Sequence, residues 1–218
     1  MKYRSTTLFV VLCALLVVLF VVDLLVGSVS IPLRDIFAAL LGGEVTPSTR
    51  LIVVDIRLVK AMVAVLAGMA LSVSGLQMQT LFRNPLAGPY VLGISSGASL
   101  GVALFILGMP LLGIATSSTI SSLGTAGAAW LGSALILAFV ASVSTRIKDI
   151  MVILILGMMI SSGVSAVVQI LQYLSNEEAL KSFVIWTMGS LGDVTSKQLG
   201  LLLPAVLIGL SVSVAVLK

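Results

Sequence analysis

The chain contains no histidine and a single cysteine, Cys13. Without imidazoles or a pair of thiolates, a histidine- or cysteine-ligated metal site is excluded by inventory, and so is an intrachain disulfide. Charge is scarce as well, at 9% of residues, and the 12 lysines and arginines are scattered between apolar runs rather than clustered. A net charge of +4 spread in that way describes loop and membrane-interface charges, so no nucleic-acid partner is expected.

Apolar residues fill the sequence instead: 59% are hydrophobic and the mean hydropathy is +1.25. That is far above the range of soluble domains, and the chain reads as an integral membrane protein. Apolar stretches of about 20 residues suffice to cross a ~30 Å hydrocarbon core as helix. No stretch alternates as the strands of a membrane barrel do. The expected architecture is an all-α polytopic transmembrane helix bundle, a single domain over 1–218 with spans near 8–26, 61–82, 90–108, 123–144, 150–174 and 199–217.

The first run follows Lys2 and Arg4 and is either a retained helix or a signal peptide; the retained helix is the reading adopted. Asp23 falls at its outer end, within reach of the headgroups. Ser30 to Leu41 reads as a short amphipathic helix with Ser30 as cap, Pro32 near the first turn and Gly42-Gly43 at the end. In the second span Ala64, Gly68 and Ser72 recur every four residues and predict a tight helix contact, as do Gly124, Ala128 and Gly132 in the fourth. Pro110 is expected to end the third span, and Pro204 to kink or shorten the first turn of the last. Ser175 to Lys181 reads as a polar loop, and Phe183 to Gly192 is too short to cross. Basic residues divide evenly between the two sides, but the loops on the N-terminal side are shorter, so basic density favours a cytoplasmic N-terminus.

The least generic stretch is Arg83 to Gly101, RNPLAGPYVLGISSGASLG. Pro85 and Pro89 break the helix arriving from the preceding run. Gly93, Gly97 and Gly101 then share one face of the next helix and let another backbone come close. The run NPLAGPYVLGISSGAS, which opens on Asn84, resembles the signature of the permease subunits of importers for ferric siderophores, haem and vitamin B12, the iron-chelate permease family of ABC transporters. The family pattern has an acidic residue where this chain has Gly88. Arg57-Leu-Val-Lys60 resembles the family's RLPR-like motif, with Val59 in place of proline and Lys60 in place of the second arginine. Trp186 to Gly192, WTMGSLG, resembles its W-x-MGSL segment. Family members continue through further helices and an ATPase-receiving loop, so the chain is expected to be the N-terminal portion of a permease, whether truncated, a gene fragment or incomplete.

On the fifth span Gly157, Ser161, Ser165 and Gln169, with Gln172 beyond, form one polar stripe. Such a stripe faces partner helices or water, and the resemblance favours a translocation pathway, with Ser95 and Ser96 as further hydroxyls along it. Gly93-Ile-Ser95-Ser96-Gly97 also fits the nucleophile-elbow pattern G-x-S-x-G. That chemistry needs a base, and no histidine exists to supply one, so no catalytic residue is expected. Arg57 and Lys60 resemble the basic pair that meets acidic residues of the substrate-binding protein; the alternative is simple snorkelling at the interface. Lysine loses the bidentate pairing open to arginine. On the docking reading, Arg57→Glu weakens binding-protein association and leaves folding intact.

The resemblance implies a second permease subunit forming a homodimer, two cytoplasmic ATPase subunits that use ATP, an extracytoplasmic substrate-binding protein and surrounding lipid, in the bacterial cytoplasmic membrane. It implies no cofactor or metal held by this chain, and import of a ferric siderophore, haem or cobalamin by alternating access. The rivals are a self-contained six-helix channel or facilitator, a membrane hydrolase acting through Ser95, and a fragment with no activity.

Overall fold

The computed structural model describes residues 2–111, 113, 118–147, 149–192 and 194–216, with the backbone alone at 2–5 and 118–122. All regular structure among them is helical. The elements are α1 (Lys2–Leu25), α2 (Leu33–Leu41), α3 (Pro47–Arg50), a π-helical segment (Leu51–Leu58), α4 (Val59–Phe82), a 3-10 turn (Pro89–Leu92), α5 (Ile94–Ala103), a second π-helical segment (Leu104–Gly108), α6 (Met109–Leu111), α7 (Ser118–Ser144), α8 (Ile150–Leu174), α9 (Glu177–Met188) and α10 (Ser196–Val216). Among the described residues five stretches are long and apolar enough to cross a membrane: Thr6–Leu25, Ile94–Leu111, Leu123–Ser144, Ile150–Leu174 and Ser196–Val216. The expected span 61–82 lies within α4 and is not one of these five.

The chain forms two compact units, one of residues 1–70 with 191–218 and one of residues 71–190, so α4 contributes to both. In the first unit α1 exposes leucines, valines and phenylalanine around most of its circumference. Such an apolar circumference is that of a membrane-spanning helix and not of one facing water. Ile36 and Ala39 of α2 pack with Val53 of the π-helical segment, and Leu25, Ile31 and Val45 close the cluster. In the second unit one core joins Val102, Ala103 and Leu107 to Val168 of α8 and to Ala179 and Phe183 of α9. Another gathers Phe82, Ala87, Leu92 and Val140.

Several boundaries differ from the sequence expectation, each for a local reason. α2 begins at Leu33 with Pro32 at its cap position and no side-chain cap, so Ser30 does not serve; Gly42, at φ 81°, ends it. Pro110 does not end the third span, because the chain enters a π-helical turn ahead of it and continues to Leu111. The wider π turn opens the register in which a proline ring meets the preceding carbonyls. The polar loop expected at Ser175 to Lys181 is largely the first turn of α9, where Asn176 Oδ1 accepts from the Ala179 N–H at 2.9 Å and Glu177 and Glu178 sit at the positive end of the helix. α10 starts three residues earlier than expected, because Thr195 and Gln198 form a reciprocal capping box with N–H to side-chain distances of 2.8 and 3.4 Å. Pro204 lies inside that helix. α7 begins at Ser118, ahead of the expected span 123–144, and residues 112, 114–117 and 148 lie outside the described residues. At the centre of the Ala64, Gly68, Ser72 face, no described atom outside its own helix backbone lies within 4 Å of a Cβ built on Gly68.

Candidate functional site

The segment after α4 is built by local hydrogen bonds that its sequence dictates. Asn84 Oδ1 accepts from the Leu86 N–H at 2.9 Å, forming an Asx turn across Pro85. Arg83 takes a positive φ of 47° at the helix end. Pro89 opens the 3-10 turn, where its missing N–H costs nothing, and Gly93 closes it at φ 78°. The Tyr90 ring folds over Gly88: a Cβ there would come within 2.5 Å of Tyr90 Cε1.

Beyond Gly93 the glycines bring backbones together. A Cβ on Gly97 would lie 2.6 Å from the Gly132 carbonyl oxygen, and one on Gly101 would run into the Ala128 carbonyl. Gly132 in turn faces the Gly97 carbonyl, and Gly157 of α8 faces the Val91 carbonyl. Ser133 Oγ donates to the Ile94 carbonyl at 3.1 Å. Helices α5 and α7 therefore meet main chain to main chain, with the start of α8 seated on the 3-10 turn. Close packing of this kind leaves no side chain free to give way.

The polar stripe of α8 begins at that junction. Gly157 is buried, Ser161 is half-buried with its Oγ 3.2 Å from where a Gly93 Cβ would stand, and Ser165 and Gln169 are exposed. Ser161 Oγ donates to the Gly157 carbonyl and Ser165 Oγ to the Ser161 carbonyl, both at 2.8 Å. These hydroxyls satisfy their protons on their own helix, leaving a mildly polar, uncharged surface. On α5, Ser95 is exposed and Ser96 half-buried. No group of three or more metal-ligating side chains occurs among the described residues.

The first unit holds the two cations singled out as docking residues, and they behave differently. Arg57 is only 6% exposed. Its Nη1 donates to the carbonyls of Leu24 at 2.9 Å and Leu25 at 3.2 Å, and its Nη2 to the carbonyl of Val29. Leu24 and Leu25 end α1, so these are carbonyls without an intrahelical partner, at the negative end of the helix. The guanidinium lies against Gly27, where a Cβ would stand 2.7 Å from Nη2. This placement runs against the expectation of a free docking charge at Arg57: its donors are spent inward, on the turn after α1. Lys60, one turn on, keeps 48% of its side chain exposed and pairs with Asp23 at 3.7 Å. Asp55, on the same π-helical segment, accepts from Ser196 Oγ at 3.1 Å and ties down the start of α10. Sequence reasoning missed the Arg57, Gly27 pair; the available signal was a glycine just past the end of α1 and an arginine in a run of apolar neighbours.

A family model described as the FecCD transport family matches residues 15–218. The chain is 34% identical over 185 residues to the molybdate import system permease protein MolB of Haemophilus influenzae, covering 82% of this chain and 52% of that protein. It is 38% identical over 161 residues to the hemin transport system permease protein HmuU of Yersinia pestis, covering 72% and 47%. The chain thus spans about half the length of the curated relatives it matches. Among solved structures, a metal-chelate type ABC transporter in an inward-facing conformation is similar at a TM-score of 0.77 and 28% identity, over 95% of this chain and 61% of that one.

Proposed function

The chain belongs to the FecCD transport family, and from that premise we propose that it acts as the permease subunit of a binding-protein-dependent ABC importer, moving a ferric siderophore, haem or cobalamin across the bacterial cytoplasmic membrane by alternating access. The observation that carries the reading is the family match over 15–218, to which the hemin-transport relative adds a chelate as cargo. The permease holds no cofactor and catalyses nothing itself; ATP is hydrolysed by two cytoplasmic partner subunits, and a second permease copy completes the path. The N-terminus lies in the cytoplasm.

Within this proposal Ser161, Ser165, Gln169, Ser95 and Ser96 line the path. Uncharged side chains, with the Ser161 and Ser165 hydroxyls already bonded to their own helix, offer a bulky chelate weak, replaceable contacts, which suits passage better than retention. The backbone-to-backbone packing of α5, α7 and the start of α8 makes the second unit a stiff body that nucleotide-driven motion can tilt without deforming. Lys60 offers the exposed positive charge for carboxylates of the binding protein, and Arg57 holds the chain that presents it.

The molybdate-import relative favours a second reading, in which the cargo is an oxyanion. The two separate in one experiment on the full-length permease, reconstituted with its ATPase and binding protein and offered labelled ferric siderophore, haem, cobalamin and molybdate in parallel. Chelate uptake unaffected by excess molybdate supports the first reading; molybdate uptake with none of the chelates supports the second.

A further inference from the structure

The geometry points to α2 as a bilayer-anchoring helix, with the stripe Leu33, Phe37, Leu40 and Leu41 as its lipid-contacting face and Arg34 beside it as the headgroup contact. α2 has nine residues and is apolar on two sides. One side is spent on the protein, where Ile36 and Ala39 are buried with Val53. The other is uncovered: Leu33 is 57% exposed, Phe37 56%, Leu40 37% and Leu41 84%. These four residues fall at i, i+4, i+7 and i+8, the spacing of a single stripe about 100° wide.

The occupant follows from where the stripe begins. α1 is sheathed in exposed leucine and valine up to Val22, apolar around its circumference as a membrane-spanning helix is, and the half-exposed Asp23, Lys60 pair follows directly. A carboxylate and an ammonium that keep access to water belong at the headgroup boundary, not below it. α2 starts eight residues after α1 ends, with its inner face packed on the π-helical segment that also holds the end of α1 through Arg57. Held to the same segment as the end of α1, α2 lies at that boundary depth, where its bare stripe has hydrocarbon within reach. Exposed Arg34 adjoins the stripe, and exposed Arg50 stands on neighbouring α3, both suited to phospholipid phosphates.

The test is site-directed spin labelling of the full-length protein in phospholipid vesicles, with Phe37→Cys in a Cys13→Ser background and Glu44→Cys, on the polar linker, as reference. The reading rests on collisions with oxygen, which concentrates in lipid, and with a water-soluble nickel chelate. A label at position 37 is expected to show an oxygen-to-nickel accessibility ratio several-fold above that at 44. High nickel accessibility at 37 overturns the proposal in favour of a water-exposed face. Low accessibility to both reagents overturns it in favour of burial by protein, whether the binding protein or another part of the transporter. Should the cysteine variant not fold, Phe37→Trp with Trp130 and Trp186 replaced by phenylalanine, and its quenching by dibrominated phosphatidylcholine, give the same decision. Neither readout depends on which solute is moved, so a failure here and a failure of the transport reading remain distinguishable.

Discussion

Arg57 and Gly27 form a matched pair, because the guanidinium occupies the volume that any Cβ on residue 27 needs. Arg57→Gln should destabilise the protein by about 2–3 kcal/mol, the scale of losing charge-assisted bonds to carbonyls left without partners. Arg57→Glu places a carboxylate among those same carbonyls and should do worse, impairing folding rather than docking alone. Gly27→Ala should cost about 1–3 kcal/mol in the native background through overpacking. It should be close to neutral once Arg57→Gln has emptied the space; equal effects of Gly27→Ala in both backgrounds, measured by unfolding in detergent, would contradict the pairing. Lys60 is the contrasting case. At 48% exposure its pair with Asp23 is worth at most about 1 kcal/mol. Lys60→Gln should cost at most about 1 kcal/mol in stability yet weaken binding-protein affinity and flatten its salt dependence, whereas unaltered affinity and salt slope would remove Lys60 from the docking edge. The sequence presents these two cations as equivalent. Only the turn of the backbone through Leu51–Leu58 separates them, since a π-helical register has no signature in the order of apolar and polar residues.

At the scale of the helix, periodicity showed which glycines share a face but not which faces find a neighbour. Gly97 and Gly101 meet the carbonyls of α7, while a Cβ added at Gly68, in the same kind of four-residue repeat, would enter open space among the described residues. Whether a small-residue stripe is a contact depends on the helix opposite, which a single strand of text does not contain. Gly101→Val should therefore push α5 from α7 and lower stability by about 3 kcal/mol or more, because a carbonyl cannot step aside as a side chain can. Gly68→Val, a substitution into open space, should be near neutral; thermal unfolding of the two variants side by side decides the point, and equal losses would contradict the packing described. The helix starts were legible residue by residue: Asp149, Asn176 and the Thr195 to Gln198 box are all visible as cap residues. They were passed over because a search for apolar runs finds the part of a helix in lipid and discards the polar first turn that begins it.

For the whole molecule, composition alone settles the class. With 59% hydrophobic residues and 9% charged, the chain has too much apolar surface for water and too little charge to cover it, and helices are the structures that satisfy their own backbone in lipid. The NPLAGPYVLGISSGAS run then carries the kinship that the FecCD family match makes plain. The cargo is another matter, since relatives named for molybdate and for hemin resemble this chain to a similar degree. The permease reading itself rests on coupling to an engine outside this polypeptide. The most direct test is solute uptake into vesicles holding the full-length permease and its ATPase, with binding protein and cargo outside, as ATP within is supplied or withheld. Accumulation only when ATP, a hydrolysis-competent ATPase and the binding protein are all present is the predicted result; equal flux with the permease alone and no nucleotide would contradict the account.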